Sequence, residues 1–458
     1  MTRVAVVGGG VSGLAVAEAC RFKNPGIETL VFEAEAQLGG KIGTSLESGF
    51  VVEHGPHGFL GREPKVFDVI DRLDLTPELI RADEASARRF LVRGGRLVEV
   101  PTGPQAFLQS PILPWSAKLR LLAEPLIPPD APEEESVRAF AVRRLGAEAA
   151  DGMVDAIVTG IFGGDPEQLS LPAAFPRMRE LEHRYGSLIR AQLALATQKT
   201  PQDAEEKARR TSLHSFRSGL GELIGGLARS AGSLRVRAPV HRILRSRPGW
   251  TLLGDFESVD VDAVVLTVPA DMAAQLVGPH SEACAAEMAT VPYAPITVVS
   301  QAFRAEDIRR RPNGFGFVAP DREERPVLGS IWASSVFPEH APNGTVLFRS
   351  LVGGVRRGER AHWDDETLFT AAKQELVFLA GLMPDAEPIH QRTIRWPRGI
   401  PQYVIGHRRR LEAADALEQR FEGLFIGGNG FRGVGVLDCI VAADAIAERV
   451  VAFSQRAS

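Results

Sequence analysis

Two glycine-rich turns, one near each end, constrain this chain more than any other feature. At the front, the apolar run Val4–Val7 enters Gly8-Gly9-Gly10-Val11-Ser12-Gly13, and a helical pattern leaves it over Leu14–Phe22. Near the back, Gly423-Leu424-Phe425-Ile426 enters a second glycine-rich stretch from Gly427 to Gly435. An alanine-rich helical pattern follows over Leu437–Phe453, with Asp438 in its first turn. A short strand with both faces apolar belongs in a buried parallel sheet. In a turn of this kind Gly8 permits the tight bend. Gly10 lets backbone approach a pyrophosphate, and Gly13 lets the helix pack closely on the strand. The helix N-terminus, with Val11 and Ser12, then offers N–H groups and a partial positive charge to phosphate. A second strand, Glu28–Phe32, ends in Glu33, 20 residues past Gly13. An acidic side chain there bonds ribose hydroxyls. The expectation is an α/β fold in which the two ends of the chain meet in one dinucleotide-binding unit. The first motif serves NAD and FAD alike.

Composition closes other routes. A chain of 458 residues carries two to three domains at about 150 residues each. Fifty-three basic against 57 acidic residues leave no global basic field for nucleic acid. Three scattered cysteines, Cys20, Cys284 and Cys439, make neither a disulfide framework nor a zinc site. The opening residues lack the apolar run of a signal peptide, and no stretch reaches the ~18 consecutive apolar residues of a membrane span. A cytoplasmic location is expected, with contact to a membrane surface left open.

Beyond Glu33 comes a second glycine pair, in Gln37-Leu38-Gly39-Gly40-Lys41-Ile42, for which a nicotinamide dehydrogenase has no particular need. It resembles the second signature of the flavin amine oxidase superfamily, where a glycine pair and a basic residue sit near the FAD diphosphate. Phe50–Glu53 then reads as a short strand before the turn Gly55-Pro56-His57-Gly58. In that superfamily this turn passes beside the flavin ring, although Gly55-Pro56 alone is also an ordinary turn. A helix N-terminus at the back turn can face the flavin C2=O or N1, where negative charge develops on reduction. Cys439 in that helix reads as a small buried thiol in preference to a covalent flavin link.

The middle of the chain reads in two halves. Pro101–Pro132 holds eight prolines among apolar residues that include Phe107, Trp115, Leu119, Leu122 and Leu126. It suits a membrane-surface segment, an internal cover or a dimer contact. Helices are expected over Val137–Leu145 and Glu148–Phe162, and Glu180–Arg210 reads as a solvated helix face and loop. Strands follow at Val236–Leu244, Trp250–Phe256, Ala263–Val268, Thr297–Phe303, Gly314–Val318, Val327–Ala333 and Val346–Val352, the later ones as an antiparallel sheet. Glu366–Leu382 reads as a helix, with Asp364 and Asp365 as candidate caps.

Taken together the chain resembles the oxygen-dependent protoporphyrinogen oxidases along its whole length. The narrow pieces are TGIFGGDPEQLSL (159–171) and IPQY (400–403). EHGPHGFL (53–60), SFRSGLGEL (215–223), GSIWASSVFP (329–338) and GVGVLDCI (433–440) support them. The resemblance implies a discontinuous Rossmann-like FAD-binding domain (1–84, 211–275, 395–458). It implies a sheet-based substrate domain (85–101, 276–394) and an inserted, mostly helical domain (102–210) that is often membrane-facing. Non-covalent FAD would be lined by Gly8, Gly9, Gly10, Val11, Ser12, Gly13, Glu33, Ala34, Lys41, Gly55, Pro56, His57, Gly58, Val240, Trp396, Val434, Gly435 and Val436. Val240 would act through its backbone near the adenine.

Arg89 by itself reads as a surface arginine in an arginine-rich strand. The match at Ala87-Arg88-Arg89-Phe90 gives it a substrate propionate to hold, and bidentate geometry suits that task. Gly160 would face the tetrapyrrole, and Leu328 would form an apolar wall. The expected reaction takes six hydrogens from protoporphyrinogen IX, with dioxygen as acceptor and hydrogen peroxide as product. No side-chain base is required. Coproporphyrinogen III oxidation is the near alternative. A flavin amine oxidase, a carotenoid-type desaturase and a non-enzymatic flavin module are more remote. Partners to look for are a second copy of the chain, a membrane surface and ferrochelatase, the next enzyme of the pathway. Two departures stand out: His57 where Asn, Asp or Arg is common, and Lys41 where Arg is frequent.

Overall fold

The computed structural model describes residues 2–129, 132–197, 209–246 and 248–457. Strand β1 (Thr2–Val7) is buried from Val4 onward and turns at Gly8 into helix α1 (Val11–Lys23), which starts inside the glycine motif. Gly13 therefore lies in the first helical turn. A Cβ on it would overlap the Gly8 carbonyl oxygen and come 2.6 Å from Thr267 Oγ1. Only glycine lets α1 lie this close to the sheet. Strand β2 (Ile27–Phe32) pairs parallel with β1, and the five-stranded parallel sheet runs Ser233–Arg235, β2, β1, Ala263–Leu266, Leu424–Ile426. Both ends of the chain and a middle segment thus meet in one buried sheet.

A second sheet has seven strands. In chain order these are β3 (Arg89–Arg93), its hairpin partner Arg96–Glu99, β4 (Tyr293–Arg304), β5 (Gly316–Val318), β6 (Gly329–Ile331), β7 (Thr345–Gly353) and β8 (His390–Pro401). Their spatial order is β8-β4-β7-β6-β5-β3 and then Arg96–Glu99. The antiparallel expectation needs one correction, because β5 pairs parallel with β3, Gly316 opposite Arg89. The hairpin of β3 comes from far earlier in the chain. A long connection permits either direction, whereas a tight turn allows only antiparallel pairing. Strand β8 spans residue 395, where a domain boundary was expected, and Arg395 and Trp396 pair with β4 in the large sheet.

Several expected elements shift. The helix expected over 148–162 is interrupted by a π turn at Ala150–Val154, and helix α2 is Asp155–Phe162. Gly152 in that turn has Arg322 against it, where a Cβ would meet Nη2 at 2.8 Å. The strand expected from Val236 begins instead at Val240, because Arg237 is left-handed (φ 51°) and Pro239 donates no ladder hydrogen bond. Helix α3 is Asp365–Leu379, and Asp364 caps it by accepting from Thr367 N at 2.8 Å. The helix His407–Arg420 lies in a stretch read only as a lead into the last turn. Helix α4 (Val436–Ala457) packs with α1 on one face of the parallel sheet.

The inserted region holds the helices Pro104–Gln109, Trp115–Leu122, Val137–Leu145, Pro176–Tyr185 and Leu188–Thr197. Buried charge ties it together. Glu124 accepts from Leu188 N at 3.0 Å and Ile189 N at 3.2 Å, and also bonds Arg144 and Ser187. Residues 198–208 of the expected polar stretch, and residues 130–131 of the proline-rich one, lie outside the described residues. Among the described residues no helix is long and apolar enough to cross a membrane.

Candidate cofactor and substrate site

The dinucleotide end is built mostly from backbone. Gly8 N donates to Phe32 O at 2.8 Å, and Thr267 Oγ1 donates to Val7 O at 3.0 Å, which fixes the turn on its sheet. Glu33 Oε2 accepts from Gly9 N at 2.8 Å and Oε1 from Glu35 N at 2.9 Å. The carboxylate is thereby aimed at the glycine turn, with exposed Ala34 beside it. Arg237 N and Ala238 N donate to Glu35 O and Glu33 O, bringing the segment that starts at Val240 alongside this acid. Gly39 N donates to Gly9 O at 2.8 Å, so the second glycine pair packs on the first turn. Gly10 faces open space: a Cβ there would find no atom closer than 3.9 Å, at Gly39 O and Gly40 Cα.

Lys41 follows that pair. Its ammonium lies 5.0 Å from the centre of the Tyr293 ring, and among the described residues it has no carboxylate partner within ion-pair distance. Burial pulls its pKa down from 10.5 to about 8. A cradle open at Gly10, bordered by the Gly39-Gly40 pair that leads into Lys41, suits a diphosphate. The back turn closes on the same place. Ser12 of α1 bonds the Cys439 thiol of α4, and Cys439 Sγ donates to Gly433 O at 3.3 Å. Val434, Gly435 and Val436 form the entry to α4, whose N-terminus therefore sits next to that of α1. Burial pushes the Cys439 thiol up to about 11, which removes the thiolate that a covalent flavin link would need.

The turn Gly55–Gly58 lies between this region and the large sheet. A Cβ on Gly55 would overlap Lys41 O, and one on Gly58 would come 2.6 Å from His214 O. Pro56 continues the turn. Trp396 Nε1 donates to His54 O at 2.8 Å. The His57 ring packs 5.2 Å from Phe337 and 5.9 Å from His340. Burial, first, and then the Arg349 charge hold its pKa well below 6.5, so His57 is neutral near pH 7.

One face of the large sheet carries residues expected to meet substrate. The opposite face packs against α3 through Val92, Val299, Phe317 and Phe348. Strand alternation therefore turns Arg89 and Leu91 of β3 to the other face, where Leu91 packs on Ile112, Leu113 and Ala117 of the inserted region and Arg89 is exposed. That face carries Ile296, Val298, Leu328, Leu351, Ile394 and Trp396 in one apolar group. Helix α2 crosses it: a Cβ on Gly160 would meet Val318 Cγ2 at 3.3 Å, and one on Gly163 would meet Ile296 Cδ1 at 3.0 Å. Val318 stands opposite Leu91, two residues from Arg89. Arg88 is committed to Glu99 at 2.7 Å, while Arg89 lies 5.4 Å from the Phe315 ring with no carboxylate partner among the described residues.

The structure thus gathers Arg89, Gly160 and Leu328 around one face. Glu33, Ala34 and the segment leading to Val240 lie together beside the front glycine turn. Three features escaped the sequence reading. Ile157 and Ile161, 49% and 50% exposed, flank Gly160 on α2. Arg349 is buried inside β7 at 1% exposure, and an arginine within the apolar run Thr345–Gly353 was the available signal for it.

Comparison with known proteins agrees with this geometry. The chain is 29% identical to the mitochondrial protoporphyrinogen oxidase of Nicotiana tabacum, over all of this chain and 96% of that protein. It is 27% identical to the coproporphyrinogen III oxidase of Staphylococcus aureus, over 98% of this chain and 99% of that one. A crystal structure of a provisionally named protoporphyrinogen oxidase from Exiguobacterium superposes with a TM-score of 0.84, at 25% identity, covering 98% of this chain and 99% of the other. Residues 11–451 match the family described as flavin containing amine oxidoreductase. That span takes in the Lys41 seat, the large sheet and the back glycine turn, and the chain belongs to the flavin-containing amine oxidoreductase family, with FAD as its cofactor.

Proposed function

We propose that this chain is an oxygen-dependent porphyrinogen oxidase that converts protoporphyrinogen IX to protoporphyrin IX, consuming three O2 and releasing three H2O2. The observation that carries the reading is the substrate face itself. It is an apolar group on one sheet face, crossed by a glycine-bearing helix, with an arginine on the same side that has no carboxylate partner among the described residues. Such a face fits a planar apolar macrocycle that carries carboxylates. Bound FAD supplies two-electron acceptance, with dioxygen as the final acceptor. Arg89 holds a propionate through its planar fork. Gly160 lets the ring approach α2, and Leu328, Ile296, Val298 and Leu351 keep water off the reacting carbon. Gly8–Gly13, Glu33 and Lys41 hold the nucleotide, and the α4 N-terminus faces the flavin end. Neutral His57 takes no proton at working pH, and the pyrrole protons pass to solvent. Peroxide counted against porphyrin in air tests the reading. It expects three peroxides per porphyrin, whereas turnover of a primary amine with none of porphyrinogen refutes it.

A second reading, oxidation of coproporphyrinogen III, gains support from a cleft behind Leu328. Arg356, Arg357 and Arg360 line it, together with Asp321 and Glu324. Arg357 meets Asp321 only at 3.6 Å, and Arg360 donates to Arg325 O at 2.6 Å, so both keep donors for further carboxylates. The two substrates differ by vinyls against propionates at two positions. We also read Trp115 and Leu126, 64% and 82% exposed on the proline-rich segment, as contacts to a lipid surface.

A further inference from the structure

Three successive carbonyls, those of Glu53, His54 and Gly55, are held by side chains of the large sheet. Arg349 of β7 donates through Nη2 to Glu53 O at 3.0 Å and to Gly55 O at 2.7 Å. Trp396 of β8 takes the carbonyl between them. Arg349 is buried, and beneath it Glu53 is buried as well, accepting from Thr44 Oγ1 at 2.7 Å and Leu220 N at 2.6 Å. Removing a charged side chain from water is costly unless its donors find partners. Here the partners are the backbone of the turn that leads to His57.

Arg349 also belongs to a row that crosses the sheet. It stands opposite Ile331, Ile331 opposite Gly316, and Gly316 opposite Arg89. Paired residues face the same side of a sheet, so Arg349 and Arg89 point to one face, three strand spacings or about 14 Å apart. One row of one rigid sheet thus carries both the grip on the cofactor-side turn and the arginine for the substrate carboxylate.

We propose that Arg349 is a positioning residue that locks the Glu53–Gly58 turn to the substrate sheet and so sets the spacing between flavin and bound porphyrinogen. The proposal rests on the functional reading above. Misplacing reacting atoms by about 1 Å costs on the order of a hundredfold in rate. Apolar contacts and Arg89, which supply substrate affinity, are untouched by the change.

The test compares Arg349→Met and Arg349→Lys with the parent protein, each loaded with saturating FAD. For Arg349→Met, kcat for protoporphyrinogen IX is expected to fall at least tenfold. KM should stay within about threefold, and the FAD dissociation constant should rise at least fivefold. Arg349→Lys, whose ammonium can reach one carbonyl, should recover part of the lost kcat. A merely structural arginine would lower the thermal midpoint of the FAD-free protein and leave kcat and FAD affinity unchanged, and that result overturns the proposal. Should the parent protein oxidise neither porphyrinogen, the functional reading fails. The FAD dissociation constant then decides for Arg349 by itself, and an unchanged value overturns the proposal. Should Arg349→Met fail to fold, the same measurements on Arg349→Lys apply, with parent-like kcat and FAD affinity as the refuting result.

Discussion

Gly10→Ala should separate cofactor binding from folding. Gly10 has φ −74° and ψ 176°, extended backbone open to any residue. The added methyl carbon would lie 3.9 Å from Gly39 O and Gly40 Cα, an ordinary contact distance. Two small effects then oppose each other in the FAD-free protein. Fewer unfolded conformations stabilise the variant by about 0.4–1 kcal/mol. Alanine is the poorer N-cap for α1 by about 0.5–1 kcal/mol. The net change should stay within about 1 kcal/mol. With FAD the balance differs, because the methyl occupies the space where the pyrophosphate approaches. Overpacking costs about 1–3 kcal/mol, which weakens FAD binding roughly 5- to 150-fold.

Thermal unfolding with and without FAD, beside a fluorescence titration, reads both quantities. At a free FAD concentration of about 100 parent Kd the parent gains about 2.7 kcal/mol from binding. A variant bound a hundredfold more weakly gains about 0.4 kcal/mol by the same relation. Parent-like FAD affinity would refute the seat assigned to the diphosphate. A loss of several kcal/mol in the FAD-free variant would refute the claim that Gly10 faces open space.

Other changes test other links. Gly13→Ala should cost about 3 kcal/mol or more, because its Cβ would overlap the Gly8 carbonyl; parent-like unfolding of the FAD-free variant contradicts the packing. Arg89→Ala should weaken porphyrinogen turnover ten- to a hundredfold, the value of a charged hydrogen bond of about 1.5–3 kcal/mol, with FAD content intact; unchanged kinetics remove Arg89 from the site. Lys41 titrates at about 8 folded against 10.5 unfolded, so the unfolded chain binds more protons between those values. Measured against Lys41→Met, which keeps the opposing contribution of the buried thiols, the FAD-free protein should therefore gain stability with rising pH across that window. A parent-minus-variant difference that stays flat in a pH series of unfolding curves refutes the assignment. With the Cys439 thiol pushed up to about 11, mild denaturation should release all flavin; flavin retained on the denatured chain refutes non-covalent binding.

The parallel sheet and both glycine turns were legible because one local pattern, strand then glycine turn then helix, encodes each of them. The acid at Glu33 was legible for the same reason, since its distance along the chain from Gly13 is set by the unit itself. The large sheet was legible only as separate strands. Its order depends on pairing between segments over 200 residues apart, such as Gly316 with Arg89, and no local pattern carries that. Short elements moved where a single residue overrode the periodicity, as left-handed Arg237 and Pro239 do at the start of Val240–Ser246. The helix His407–Arg420 went unread because few of its side chains are buried, so its apolar stripe is weak. Arg89 on its own residues read as a surface arginine, and only the resemblance over Ala87–Phe90 gave it a substrate role; the fold turns it to the same side of the sheet as Leu351. Arg349 was hidden differently. Its partners are backbone carbonyls of Glu53 and Gly55, and any residue offers those.

The central claim is that the apolar sheet face receives a porphyrinogen. It is tested most directly by supplying FAD-loaded protein, in air, with protoporphyrinogen IX and coproporphyrinogen III side by side and following porphyrin fluorescence. The account predicts porphyrin formation above the autoxidation rate, faster with protoporphyrinogen IX, and its loss in Arg89→Ala. Fluorescence that rises no faster than in a protein-free control with either substrate would contradict it.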